Sequence, residues 1–180
     1  MGKSVFLAVF TALVCLHGST AAAAKPELPS DIVMVLVPLA GYTIAHFKDD
    51  GEGEKQLLRS VAAGVVAHAI TAAAFNYTSW GKRPNGRQYG FPSGHVALVT
   101  SGAAFLQDRY GWHYGVPAYL LAGYVAWQRV DTGHHYWRDV IGGGALAFGV
   151  SKLFVTPQNA THIAPVVGPD FIGLRWERSF

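Results

Sequence analysis

Charge is scarce in this 180-residue chain. Asp, Glu, Lys and Arg together make up 14% of it, well below the ~25% typical of soluble domains. The net charge is only +3 and no basic run occurs, which argues against a nucleic-acid partner. There is one cysteine, Cys15, and it lies near the N-terminus. Without it the chain has no thiol, so disulfides, thiolate metal sites and cysteine nucleophiles drop out. Acids are also few around the most distinctive residues, where only Asp131 and Asp139 occur. Carboxylate coordination of Mg²⁺ is not expected there, and no cofactor is called for. Internal repeats and low-complexity tracts are missing as well.

Residues 1–24 read as a secretory signal. Lys3 gives a short basic start, Val5 to Leu16 an apolar stretch, and Ala21 to Ala24 a small-residue cleavage site. An uncleaved N-terminal anchor is the alternative. Cys15 is not preceded by Leu-Ala-Gly, which argues against lipidation. Removing this segment takes away Lys3 and no acid, leaving 13 basic against 11 acidic residues, or +2.

The remaining residues suit one all-α domain over 25–155, a bundle of about five apolar helices, followed by a tail over 156–180. Ser30 or Asp31 is a plausible N-cap for a helix at about 32–47. Lys48 to Lys55 reads as an exposed connection before a helix at 55–77. A Gly- and Pro-rich loop over 79–92 carries Lys82, Arg83 and Arg87. Helices at 93–109, 116–128 and 137–154 follow, separated by a turn over Gly111 to Gly115 and a loop over 129–136. Gly142-Gly143-Gly144 weakens helix propensity and suggests close helix–helix contact. In the tail, Phe171, Leu174, Trp176 and Phe180 alternate loosely with small and polar residues, the pattern of a short strand or hairpin.

Residues 32–47 and 57–75 are long enough, or nearly so, to span a bilayer, whereas the later helices are short for it. Trp80, Tyr89, Tyr136 and Trp137 fall at one level, and Tyr110, Trp112 and Tyr114 at the other end of the third helix. Two aromatic levels one helix apart resemble interfacial belts. A soluble bundle capped by aromatic rings is the alternative. With residue 25 on the periplasmic side, loops 79–92 and 129–136 both face the periplasm.

The chemistry concentrates in three places. Arg83 sits beside Pro84, between two apolar helices, and Arg129 opens the later loop. Arginine binds phosphate through a planar fork and keeps its charge, although a solvated loop is the plain reading of any single arginine. Pro92-Ser93-Gly94-His95 lies where a loop becomes a helix, and free N–H groups at a helix start bind anions. An ordinary N-cap would look the same. His95 beside such a site is placed to donate a proton. His135 and Asp139 are four apart, so on a helix their Cβ atoms lie ~5–6 Å apart. Asp139 is then able to fix the imidazole tautomer and leave the other nitrogen to attack phosphorus. His134 reads as a loop residue. His46, His68, His113 and His162 have no partner at ligand spacing and read as structural or surface residues.

Together these residues resemble the type 2 phosphatidic acid phosphatase and vanadium haloperoxidase superfamily. Its pattern is Lys-x6-Arg-Pro, then Pro-Ser-Gly-His, then Ser-Arg-x5-His-x3-Asp. Arg83-Pro84, Pro92 to His95, and Arg129-x5-His135-x3-Asp139 match it in order and spacing, over about residues 57–150. The resemblance implies a metal-independent phosphatase of the lipid phosphate branch. His135 would form a phosphohistidine, Asp139 would orient it, and His95 would protonate the leaving alkoxide. Arg83, Arg129, Ser93 and the Gly94 amide would hold phosphate. Two positions depart from the pattern: Gln128 stands for Ser, and Asn76 stands for Lys. Lys82 or Arg87 is expected to supply the missing cation. The implied setting is the bacterial inner membrane, with the site facing the periplasm, a lipid phosphate as substrate and no obligate protein partner. A soluble periplasmic acid phosphatase, or a non-catalytic phosphate- or lipid-binding member on account of Asn76, is the alternative.

Overall fold

Five apolar stretches become five helices in the computed structural model, which describes residues 28–158 together with two strands at 161–168 and 171–178. The signal segment and the start of the polar leader lie outside the described residues. The helices are α1 (Leu28–Phe47), α2 (Gly51–Phe75), α3 (Gly94–Tyr110), α4 (Trp112–Asp131) and α5 (Trp137–Phe154). The strands β1 (Thr161–Gly168) and β2 (Phe171–Arg178) pair antiparallel, with Thr161 opposite Arg178 and Gly168 opposite Phe171. The all-α bundle with a β-like tail is therefore the observed architecture.

The helix ends differ from the sequence expectation in instructive ways. Helix α1 starts at Leu28, so Ser30 and Asp31 lie within its first turn rather than capping it. Helix α2 starts at Gly51, and its N-cap is Asp50, whose side chain accepts the Gly53 N–H at 2.9 Å. Much of the supposed exposed connection is thus helical. Helix α4 begins at Trp112 and runs on to Asp131, which places Arg129 in its last turn instead of in a loop.

Helix α3 is the axis of the bundle, and it is buried almost continuously from His95 to Leu106. A stretch this apolar on all sides belongs in the middle of a bundle. Val99 and Phe105 are fully enclosed, as are Leu57 of α2 and Val125 of α4. Gly102 lets α1 approach closely, since a Cβ there would stand 2.6 Å from the Pro38 nitrogen.

The outward faces remain apolar. Val66 and Ile70 of α2, Leu120 of α4 and Ile141 and Leu153 of α5 are all more than half exposed. Helix α1, over Pro29–Phe47, and helix α2 are each long and apolar enough to cross a membrane.

At the end of α3 remote from His95, a buried ion pair ties three segments. The Arg109 Nε and Nη2 donate to the two Asp50 carboxylate oxygens at 2.7 and 2.6 Å, and the Tyr110 hydroxyl donates to Asp50 at 2.8 Å. Arg109 Nη1 also donates to the Thr156 carbonyl at 2.8 Å. Burial pushes the Asp50 carboxyl up, but the hydrogen bonds from Arg109, Gly53 and Tyr110 outweigh it and hold it below the usual carboxylate range.

Candidate active site

The opposite end of the bundle gathers the three motif segments. Loop 79–92 folds back on itself through Arg83 N–H to Arg87 O at 2.8 Å and Gly90 N–H to Gly81 O at 2.8 Å. It is held against α5 by two glycines. A Cβ on Gly142 would stand 2.2 Å from the Phe91 ring, and one on Gly143 would stand 2.4 Å from the Ser93 carbonyl oxygen. The glycine triplet therefore seats the Phe91–Ser93 segment more than it seats another helix. The Ser93 N–H donates to the Asp139 carbonyl at 2.9 Å, and the Arg129 carbonyl accepts from His135 N–H at 3.1 Å. Backbone bonds thus fix the motifs to one another before any side chain is considered.

His135 is 2% exposed. Its Nδ1 lies 2.8 Å from the Gly90 carbonyl oxygen and 3.6 Å from Asp139 Oδ2. A carbonyl only accepts, so Nδ1 carries the proton and the lone pair sits on Nε2. The closest tautomer-fixing partner is therefore Gly90, with the Asp139 carboxylate behind it. Asp139 is fully buried and also accepts the Tyr136 N–H at 2.9 Å, forming the capping box of α5. Burial lowers the His135 pKa below 6.5, and the Arg83 and Arg129 charges push it the same way, while Asp139 opposes them. The neutral ring is favoured.

Ser93 precedes α3 but makes no side-chain cap bond. Its hydroxyl is completely buried and has no partner among the described residues. Such an orphaned group costs stability unless a ligand reaches it. Arg83 is half-buried, with Nε and Nη2 both 3.1 Å from the Tyr89 carbonyl. Arg129 is 2% exposed, and its Nη1 lies 3.9 Å from Asp31 Oδ1. His95 Nε2 meets the same oxygen at 2.9 Å. A pocket of about 570 Å³ takes in Arg83, Gly94, His95 and His135 at its polar part, and Val61, Val65 and Leu98 among its apolar walls.

Comparison with known proteins fits this arrangement. The family model described as the PAP2 superfamily matches residues 4–161. The chain belongs to the PAP2 superfamily. It is 34% identical over 86 residues to a lipid A 4′-phosphatase from Helicobacter pylori, an alignment covering 47% of this chain and 43% of that protein. The chain thus matches under half the length of that curated relative. The crystal structure of Aquifex aeolicus LpxE has the same fold, with a TM-score of 0.52 at 19% identity, covering 82% of this chain and 92% of that one.

Within this PAP2 protein, two of the expected phosphate ligands stand apart from the rest. The Lys82 and Arg87 side chains are exposed, and neither lines the pocket. The place of the family lysine is filled differently. Asn76 is 6% exposed and its Oδ1 accepts the Tyr89 N–H at 3.1 Å. Tyr89 has a left-handed backbone, φ 58°, which is uncommon for a bulky residue. A lysine offers no acceptor, so Asn76 exchanges a cation for an anchor of the loop that carries Arg83.

Three histidines have partners that sequence spacing did not reveal. His68 of α2 lines the pocket, with Nε2 3.1 Å from the Pro92 carbonyl. Its ring also occupies the space beside Gly94, where a Cβ would stand 3.1 Å from it. Its place is in the site, then, rather than purely structural. His46 pairs with Glu54 at 3.0 Å. His134 is buried, with Nδ1 2.9 Å from the Thr132 hydroxyl.

Proposed function

We propose that this protein hydrolyses phosphate monoesters or pyrophosphates of lipids without a metal, through a phosphohistidine. The observation that carries the reading is the His135 ring. With Nδ1–H held on Gly90 and Asp139 behind it, Nε2 presents its lone pair in a pocket that also contains Arg83 and His95. That is the nucleophile-and-orienter arrangement.

In this reading Arg83, Arg129, the Ser93 hydroxyl and the Gly94 N–H bind the non-bridging oxygens. His135 Nε2 forms the P–N bond as the P–O bond to the leaving group breaks, and His95 gives that oxygen its proton. Water then hydrolyses the phosphohistidine. The two arginines and the helix N-terminus supply the charge stabilisation that a metal would otherwise give. Lys82 and Arg87, exposed and outside the pocket lining, serve only as an outer attraction for an anionic substrate.

A lipid substrate is supported by the apolar pocket walls, by α1 and α2 as spans, and by the apolar outer faces of the bundle. The name of the Helicobacter relative points the same way. We place the protein in the bacterial inner membrane with the site at the periplasmic face. Residues 1–24 are read as a signal and 25–155 as the catalytic unit.

The test is phosphate release by purified protein from a panel of lipid and water-soluble phosphates, with and without EDTA. Lipid phosphates should be preferred, EDTA should leave the rate unchanged, and His135→Ala should abolish it. Loss of activity in EDTA would overturn the metal-free mechanism. Binding without turnover would make the protein a receptor for lipid phosphate, and release of the protein by osmotic shock would remove it from the membrane.

A further inference from the structure

We propose that Asp31 is the positioning residue for His95, holding the proton donor in its charged and correctly turned form. The inference rests on the reading of His95 as general acid. Asp31 belongs to the first turn of α1, and 64 residues separate it from His95. The fold nevertheless brings its Oδ1 to 2.9 Å from His95 Nε2 and 3.9 Å from Arg129 Nη1. His95 and Arg129 are almost wholly enclosed, with side chains 8% and 3% exposed, while the Asp31 side chain is 42% exposed. One carboxylate thus reaches from the edge of the site to its buried acid and to one of its phosphate-binding cations.

A carboxylate accepts and cannot donate when ionised, so Nε2 carries its hydrogen toward Asp31. A second proton on the ring then resides on Nδ1, and the adjacent negative charge stabilises that doubly protonated ring. When the bond between phosphorus and the leaving oxygen breaks, the Nδ1 proton passes to that oxygen. The neutral ring that remains keeps its Nε2–H on Asp31. The water that hydrolyses the phosphohistidine returns a proton to the ring, and the cycle balances. The site therefore contains two carboxylate–histidine pairs with opposite tasks: Asp139 stands behind a nucleophile, and Asp31 behind an acid. Among the described residues, the other charged or titratable groups that share the pocket with His95 or pair with Asp31 are Arg129 from α4, Arg83 and Tyr89 from loop 79–92, His135 from the turn before α5 and His68 from α2. The two arginines disfavour a second proton on His95, and among the described residues Asp31 is the carboxylate bonded to it that opposes them.

Leaving-group dependence separates this role from a structural one. An alkyl phosphate expels a basic alkoxide and needs the proton, whereas a nitrophenyl phosphate expels a stable phenolate and does not. Wild type, Asp31→Asn, Asp31→Glu and His95→Gln are compared on both esters across pH, with melting curves to confirm folding. Asp31→Asn should lose about 10- to 100-fold in kcat on the alkyl ester, part of the about 10²–10⁴ that general acid catalysis supplies. On the nitrophenyl ester its loss should stay within about threefold, well short of that acid-catalysis factor. The alkaline limb of its pH–rate profile should move to lower pH, and Asp31→Glu should recover much of the rate. Equal losses on both esters would overturn the proposal, as would a gain on both with a lower KM, which would make Asp31 a competitor of phosphate. If His95→Gln itself shows no leaving-group bias, the assignment of His95 fails and the proposal falls with it. If His95→Gln shows the bias and Asp31→Asn does not, Asp31 alone is excluded.

Discussion

The Ser93 N–H donates to the Asp139 carbonyl at 2.9 Å, so the start of α3 and the first turn of α5 are joined at one point. Gly143 packs directly on that point. A methyl group there meets backbone, which cannot swing aside. Gly143→Ala should displace the Ser93 segment, cost roughly 1–3 kcal/mol in overpacking and lower kcat/KM by tenfold or more on the order of that displacement. Gly144→Ala is the control, because its Cβ would find its nearest atom 3.8 Å away. Thermal melts and kinetics of the pair should diverge sharply.

Restoring the family lysine should harm the enzyme. In Asn76→Lys the Tyr89 N–H loses its acceptor, at a cost of roughly 1–3 kcal/mol, and the loop carrying Arg83 loosens. Amide exchange at Tyr89 should accelerate, and kcat/KM should fall despite the added charge. A gain in kcat/KM would show that charge matters more than loop geometry.

The pH response of His135 follows from its surroundings. Burial and the two arginines hold its pKa below 6.5, so the acid limb attributed to the nucleophile should lie below pH 6.5. Asp139 opposes that lowering. Asp139→Asn should therefore carry the acid limb to still lower pH while the plateau rate falls. The fall should be about 10- to 100-fold, less than where a carboxylate alone fixes the tautomer, because Gly90 still holds Nδ1–H.

Stability should respond to the other end of the bundle. Asp50 is ionised more readily in the folded state than in the unfolded chain, so its contribution is present above the unfolded carboxylate pKa of about 3.9. It is lost as pH falls through the lower, folded value. Arg109→Met leaves a buried carboxylate without its partner and should cost about 3–5 kcal/mol, read as a lowered denaturation midpoint. The acid-unfolding midpoint of the variant should rise.

The sequence carries the site unevenly. His135 and Asp139 are legible because four residues make one helical turn, and Pro92 to His95 because proline, serine and glycine mark a loop becoming a helix. Asp31 is not legible, since nothing local connects it with a histidine 64 residues on. His68 looks like any polar residue on an apolar helix until Pro92 is folded against it. Asn76 reads as a deficit, because the left-handed turn at Tyr89 that needs its oxygen is not written in any residue-type pattern. Helix α4 ends three residues beyond the expected 128 for a physical reason. Its stop signal is Gly133, with φ 70°, and Arg129 lies within the last turn before it.

Thr156 sits two residues beyond α5, where a mutagenist would be inclined to cut. Its carbonyl accepts from Arg109, its N–H donates to the Gln56 side-chain oxygen at 3.0 Å, and its hydroxyl accepts from the Gln56 amide at 3.1 Å. The Gln158 N–H adds a bond to the Arg109 carbonyl at 3.0 Å. A stop codon after residue 158 keeps all of these bonds, whereas one after residue 155 removes all four and exposes the Asp50–Arg109 pair. Reporter fusions and tail deletions made three residues apart are therefore different experiments, one on the strands and one on the bundle.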